Sequence, residues 1–190
     1  MALLTPQEVA AWVPQATERE GLLLDAVSMA VGLADEFCGR HLELTDYDVV
    51  MDVAPGLVSL LMPEYPLVVD DDHALTITDD PDGAATVLDA SWYVAVAGAG
   101  MIKRVDGGTW PAGYRSLRVQ YSAGYTSLTL PAGLRRTLLQ LVAWVLESAG
   151  NVGAQSESHD GYSVTYEQTT NGLPQSIANA LRPYKAGTLA

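Results

Sequence analysis

Residues 121–150 read YSAGYTSLTLPAGLRRTLLQLVAWVLESAG, and this stretch decides how the rest of the chain is interpreted. A β-prone run ends at Tyr121, and Gly124 then marks a turn. Pro131 stands where a helix favours proline, in its first turn, and Gly150 supplies a stop. The stretch therefore predicts a strand, a turn and a long helix from about 131 to 149.

This helix is apolar on nearly every face, which indicates burial on all sides. It is either the central core helix of its own domain or a helix whose outer face is covered by another subunit, and periodicity does not decide between the two. In the second case five side chains would pack between subunits: Leu138, Leu141, Val142, Trp144 and Val145.

Two helices are predicted before it. Thr5-Pro6-Gln7-Glu8 combines a cap residue, a proline at the first helical position and a Glu three residues after the cap, which predicts a helix over about 5–13. The same capping pattern at Thr17 precedes apolar residues at helical spacing, and Gly39 ends them. We expect a second helix over about 17–38, with Cys38 as a buried thiol on its apolar face.

The middle of the chain, about 42–121, has a β texture. Short β-prone runs alternate with turn dipeptides: Tyr47–Val53, Leu57–Leu61, Leu75–Thr78, Trp92–Val96 and Leu117–Tyr121. Ala97-Gly98-Ala99-Gly100 lies between two such runs and predicts a hairpin turn.

The last forty residues differ in composition. Residues 151–160 are rich in Gly, Ser, Asn and Gln and predict a flexible connector, 161–167 alternate like a strand, and Leu173-Pro174 opens a short helix. The predicted fold class is α+β: a helical body over 1–150 with the β-rich insertion at 42–121, and an extended C-terminal arm over 151–190. We expect truncation after Gly150 to leave a folded body.

Composition excludes several classes of protein. With 23 acidic and 10 basic residues in 190, the net charge is −13, whereas nucleic-acid binding requires clustered Lys and Arg. The apolar runs are too short or too interrupted to span a bilayer, and the first residues lack the basic flank of a signal peptide. We expect no membrane span and a cytoplasmic location before assembly.

No catalytic, cofactor or metal site is predicted. Asp70-Asp71-Asp72-His73 is the densest group of potential ligands, but neighbouring residues on an extended chain point to opposite faces, so a solvated turn is favoured. Asp79–Gly83 lacks the far Glu of a calcium loop and also predicts a turn. A metal-dependent hydrolase built on Asp70–His73 remains a distant alternative.

The order of these motifs resembles the head-to-tail connector (adaptor) proteins of tailed bacteriophages. The resemblance covers both ends of the chain and leaves 42–113 without a family-specific motif beyond its β texture and Trp110-Pro111. It is carried by the capped helix at Thr5, Cys38-Gly39-Arg40, the strand and turn over 117–125, Leu130-Pro131 before the helix with Ala143-Trp144, residues 156–166, and Leu173-Pro174 before Leu181-Arg182-Pro183-Tyr184.

The resemblance implies a non-enzymatic virion subunit of the neck, assembled as a ring, commonly of twelve copies, beneath the portal after DNA packaging. Such a ring provides the docking surface for the tail terminator or stopper protein, and DNA passes through it without specific binding. By the same resemblance the C-terminal arm would dock on the portal through ten residues: Ser156, Tyr162, Val164, Tyr166, Leu173, Pro174, Ile177, Leu181, Arg182 and Tyr184.

Physical reasoning is compatible with this picture. A strand at 162–167 can add to an exposed sheet edge, and an amphipathic helix can lay Ile177 and Leu181 into a groove. The alternative for these residues is a hairpin and helix folded back onto their own domain. The acidic excess suits a channel wall that repels phosphate. Another head-closure or tail-completion protein is the nearest rival function.

Overall fold

The computed structural model describes residues 3–13, 20–150, 158–159, 162–163, 169–170 and 172–186. The chain forms two compact units, a helical unit from Met1–Leu42 with Thr126–Ala190, and a β unit from Glu43–Tyr125. The four α-helices lie in the first unit and the two larger antiparallel sheets in the second, so the predicted α+β class is confirmed. Within the described ranges, no helix has both the length and the apolar character that crossing a bilayer requires.

Four α-helices build the described part of the helical unit: α1 (Pro6–Trp12), α2 (Glu20–Cys38), α3 (Ala132–Gly150) and α4 (Gln175–Leu181). The predicted capping box of α1 is confirmed, because the Glu8 amide donates to Thr5 Oγ1 over 3.2 Å and the Thr5 amide donates to Glu8 Oε2 over 2.8 Å. The capping pattern predicted at Thr17 lies outside the described residues.

Small residues allow α2 and α3 to pack together. Ala26, Ala30 and Ala34 recur every four residues along α2, are buried, and are followed by buried Cys38. A ridge of small side chains lets a facing helix approach closely. Helix α3 also packs on α1 and α4, and its Leu134, Leu138, Leu141 and Val142 are completely buried.

The C-terminal helix α4 packs on α2 and α3. Its buried side chains are Ile177, Ala178 and Leu181. A 3-10 turn at Arg182–Tyr184 follows, and the chain then returns to the end of α2, where the Ala186 amide donates to the Cys38 carbonyl over 2.7 Å. Helix α4 thus belongs to the same compact unit as α1–α3. The predicted division of the chain into a body over 1–150 and an arm over 151–190 stays a prediction.

The β unit contains two sheets of antiparallel strands. The first pairs β1 (Thr45–Val53), β8 (Gly113–Ala123), β4 (Thr76–Asp79) and β5 (Thr86–Val87) in that order, and β3 (Leu67–Val68) also pairs with β8. The second has the order β2 (Ser59–Leu61), β7 (Met101–Arg104) and β6 (Tyr93–Val96). The predicted hairpin turn at 97–100 joins β6 to β7 and is confirmed.

One apolar core fills the β unit and involves both sheets. Ile77, Leu117 and Val119 of the five-stranded sheet and Leu60 and Ile102 of the three-stranded sheet all belong to it. The five predicted β runs each overlap an observed strand, whereas no run predicts β3, β5 or β7. Two further short antiparallel pairs lie in the C-terminal region, β9 (Ser158–His159) with β10 (Tyr162–Ser163) and β11 (Thr169–Thr170) with β12 (Leu173–Pro174).

Candidate interaction surfaces

The α3 side chains predicted to pack between subunits are core residues of the helical unit. Leu138, Leu141 and Val142 are fully buried, Val145 is buried, and Trp144 is partly exposed. Within the single chain the helix therefore forms part of the core of its own unit, which is one of the two alternatives that periodicity left open. A role between subunits stays a prediction, and Trp144 is the member of this set with surface left for it.

The predicted portal-docking residues divide into three groups. Leu173, Pro174, Ile177 and Leu181 are buried within the helical unit, as in the alternative of a helix folded back onto its own domain. Arg182 is exposed and Tyr184 is half-buried. Ser156, Val164 and Tyr166 lie outside the described residues, and for Tyr162 only the backbone, in β10, is described.

The end of α2 and the segment after α4 are joined by polar contacts around a buried cation. Arg40 is 4% exposed, and its Nε donates to the Tyr184 carbonyl over 2.7 Å. The Cys38 thiol lies 3.9 Å from the Leu181 carbonyl, and burial raises the pKa of this thiol to about 11. A thiol with so high a pKa is a poor nucleophile, which agrees with the prediction of a buried structural cysteine.

Asp70–His73 forms the predicted solvated turn. The Asp70 carboxylate accepts hydrogen bonds from the amides of Asp72 and His73 and lies 2.7 Å from His73 Nδ1, and this last contact is the main reason that the pKa of Asp70 is lowered. Among the described residues, no group of three or more His, Cys, Asp and Glu side chains is arranged to hold a metal ion.

An open cleft of about 320 Å³ lies beside this turn in the β unit. Two of its carboxylates accept hydrogen bonds from residues of the adjacent strand: Ser122 donates to Asp46 over 2.5 Å, and Gln120 donates to Asp48 over 3.2 Å. The cleft is lined by Asp46, Tyr47, Asp48, Asp72, His73, Ala74, Gln120, Tyr121 and Ser122. Asp46 and Asp48 are thus held by the sheet.

The outer face of the five-stranded sheet is polar, and its charges are paired. Arg118 of β8 makes a two-point contact with Asp48 of β1, with Nε to Oδ1 at 2.7 Å and Nη2 to Oδ2 at 2.5 Å. This hydrogen bonding lowers the pKa of Asp48. Arg115, at the start of β8, contacts Asp82 over 2.8 Å. Such a face is stable in water.

The outer face of the three-stranded sheet is apolar. Leu61, Val94 and Val96 are 51%, 47% and 41% exposed, and Met101 is half-buried. The register places Leu61 and Val96 on either side of Met101, and it places Ser59 and Val94 on either side of Lys103 in the next row. We call Leu61, Val94, Val96 and Met101 the apolar sheet face.

Sequence reasoning missed this face although a signal for it was present. A sheet with one solvated face alternates apolar and polar residues, whereas Tyr93-Val94-Ala95-Val96 is apolar at both sets of positions. Its inner members, Tyr93 and Ala95, contact the core of the β unit. Its outer members, Val94 and Val96, are exposed in this chain.

Next to this face an arginine stiffens the end of β7. The Arg104 guanidinium lies 5.2 Å from the Trp92 ring centroid and 5.3 Å from that of Trp110, and it contacts both carboxylate oxygens of Asp106. Hydrogen bonding from Arg104 lowers the pKa of Asp106 to about 2, so this pair stays ionised well into the acid range. The arrangement fixes the loop that follows β7.

The fold is similar to those of chains from a gene transfer agent (GTA) particle. A chain of the neck of the native GTA particle, computed with C12 symmetry, is similar over 96% of this chain and 90% of its own length, with a TM-score of 0.61 and 14% identity. A chain of the neck of the empty particle, computed with C6 symmetry, has a TM-score of 0.59 and 14% identity, over 90% of this chain and 81% of that one. A chain of the virion of the native GTA particle has a TM-score of 0.58 and 16% identity, over 90% of this chain and 80% of its own length.

At these identities the similarity establishes a shared fold. No family model matches the sequence, and no curated protein matches it.

Proposed function

We propose that this chain is a non-enzymatic structural subunit of the neck of a tailed phage or phage-like particle, the head-to-tail connector ring. The observation that carries the proposal is the fold similarity, over 96% of the chain, to a chain of the neck of the native GTA particle. Because both units are included in that coverage, the similarity extends beyond a common helical bundle.

The ring is proposed to contain twelve copies, to bind beneath the portal after DNA packaging, and to present its other side to the tail terminator or stopper. The C12 symmetry reported for the neck of the native GTA particle supports a twelvefold arrangement. The motif order that resembles connector proteins, from the capped α1 to the C-terminal helix, supports the same role independently of the fold.

DNA passage without binding is supported by the way the arginines are used. Arg104, Arg115, Arg118 and Arg135 each pair with a carboxylate of this chain. An arginine that is already paired with a carboxylate gains little from contacting phosphate, and the net charge of −13 repels a duplex.

Binding to the portal protein encoded by the same genome tests the proposal. Purified full chain should be retained by immobilised portal rings, because the C-terminal region supplies the contact. Since Leu173, Ile177 and Leu181 are core residues, the arm is tested through Tyr162, Val164 and Tyr166 instead, each changed to Ala in one variant.

The matched control is Tyr114→Ala, which removes a tyrosine that is 83% exposed on the β unit. The triple variant should lose retention while keeping its circular dichroism spectrum, and Tyr114→Ala should keep both. Retention by tail components with none by the portal would favour the rival function, a tail-completion protein.

A further inference from the structure

The apolar sheet face is the most unusual surface among the described residues of the β unit. Its three exposed members, Leu61, Val94 and Val96, come from two different strands, and the register brings them into adjoining rows around Met101 and Lys103. Single exposed apolar residues are common on protein surfaces, whereas a contiguous group marks a contact surface.

The two sheets of the β unit treat their outer faces differently. The five-stranded sheet presents the Arg118–Asp48 pair and Gln120, all of which are satisfied in water. The three-stranded sheet presents valine, leucine and methionine around one lysine. Exposing the outer face of the three-stranded sheet to water therefore costs free energy, whereas exposing that of the five-stranded sheet does not. A permanent partner on the three-stranded sheet would remove this cost.

We infer that the apolar sheet face is covered by a neighbouring copy of this chain in the assembled ring. The inference rests on the proposed function, because a closed ring gives each subunit a permanent neighbour of the same kind. The necks to which the similar chains belong were computed with C6 and C12 symmetry, and symmetry of this kind relates copies around an axis.

Charge also favours a copy of this chain as the occupant. Lys103 is exposed within the face, and a neighbouring copy with 23 acidic and 10 basic residues carries an excess of carboxylates that can face this lysine. Apolar contact at the centre and one cation facing an acidic rim is a complementary arrangement. The contact would join two different surfaces, as ring closure requires.

Site-specific photo-crosslinking from position 96 tests the inference. A photoreactive amino acid replaces Val96 in the full chain, which is irradiated alone and after mixing with portal rings from the same genome. The control carries it in place of Gln120, on the polar sheet. We expect the photoreactive group at position 96 to give covalent dimers of this chain, and the group at position 120 to give none.

The outcomes separate the inference from the proposed function. Portal binding with crosslinks to another protein from position 96, or with none, overturns the inference and leaves the proposed function standing. Dimers from position 96 without any portal binding support the inference and argue against the proposed function. If the chain shows no portal binding and gives no dimers, both the inference and the proposed function are contradicted.

A pair of charge substitutions gives a second readout. Leu61→Glu with Val96→Glu should reduce the yield of portal-bound rings about tenfold or more, because an unpaired carboxylate in an apolar contact is costly. Val87→Glu, at a 62% exposed position on the edge strand β5, should leave the yield unchanged. Wild-type yield from the double variant, with its circular dichroism spectrum intact, would overturn the inference.

Discussion

Gly124 shows at the scale of one residue why the stretch 121–125 is built as it is. Its φ is +118°, and a Cβ atom there would lie 2.5 Å from the Glu43 carbonyl oxygen. The segment with Glu43 and Leu44, just before β1, is held close to Gly124 because the Leu44 amide donates to the Tyr125 carbonyl over 2.9 Å. The glycine is therefore required by packing inside the β unit.

We predict that Gly124→Ala destabilises the β unit more than Gly107→Ala does. Gly107 also has a positive φ, +84°, but no atom lies within 4 Å of the added Cβ, so only the backbone penalty of about 1–2 kcal/mol applies there. At Gly124 the clash with the Glu43 backbone adds to that penalty. Urea unfolding followed by tryptophan fluorescence measures both, and equal losses would contradict this account of Gly124.

The capping box of α1 couples stability to pH. Hydrogen bonding from the Thr5 backbone is the largest reason that the pKa of Glu8 lies below its ordinary 4.5, and Arg135 contributes as well. Because the folded pKa is the lower one, the contribution is fully present above about pH 4.5 and is lost as pH falls through the folded value.

Glu8→Gln should therefore lower the free energy of unfolding of the helical unit at pH 7 by about 0.5–1 kcal/mol. The difference from wild type should shrink as pH falls below 4.5, because wild-type Glu8 then becomes protonated. Asp25→Asn, an exposed change on α2, is the control. A difference that is constant from pH 7 to pH 3 would count against the capping carboxylate.

At the scale of elements, α4 changes the interpretation of the C-terminal region. The sequence predicts its apolar side correctly, but Ile177 and Leu181 face α2 and α3 of the same chain. Truncation after Gly150 would remove these buried side chains from the helical unit. That the truncated chain still folds stays a prediction.

Leu181→Ala should cost about 2–5 kcal/mol of unfolding free energy, as is usual for a fully buried leucine. Leu128→Ala is the same substitution at a site that is 94% exposed in the same unit, and it should stay within about 0.5 kcal/mol of wild type. Urea unfolding monitored at a helical circular dichroism band compares them. Similar losses would mean that α4 is not part of the folded core.

Elements with strong local signals could be predicted from the sequence, whereas those made by tertiary contact could not. Thr5 and Glu8 predict the start of α1, because a capping box is completed within four residues. The two-residue strands β3 and β5 exist only because β8 and β4 pair with them. β7 is hard to recognise in the sequence because it ends in the two charged residues Lys103 and Arg104, although its Ile102 is fully buried.

The candidate site shows the same limit. The apolar face of α4 was visible in the sequence, but periodicity reports that a face is buried and not which partner buries it. The apolar sheet face became evident only when the register placed Leu61, Met101 and Val96 in one row.

At the scale of the whole molecule, the charge balance predicts that the purified chain does not bind duplex DNA. No mobility shift is expected between 50 and 200 mM salt, because the net charge is −13 and four arginines are paired internally.

A variant with Asp48 and Asp82 changed to Asn releases the exposed side chains of Arg118 and Arg115, and it should gain weak, salt-dependent DNA affinity. Tight binding by wild type at physiological salt would contradict the proposal of a non-binding channel wall.

Direct imaging of the chain with the portal protein of the same genome tests the central proposal most directly. Electron microscopy of the mixture should show a ring of twelve copies added to one end of the portal, coaxial with its channel. Portal particles that remain unchanged at saturating chain, or chain attached without a common axis, would contradict the account.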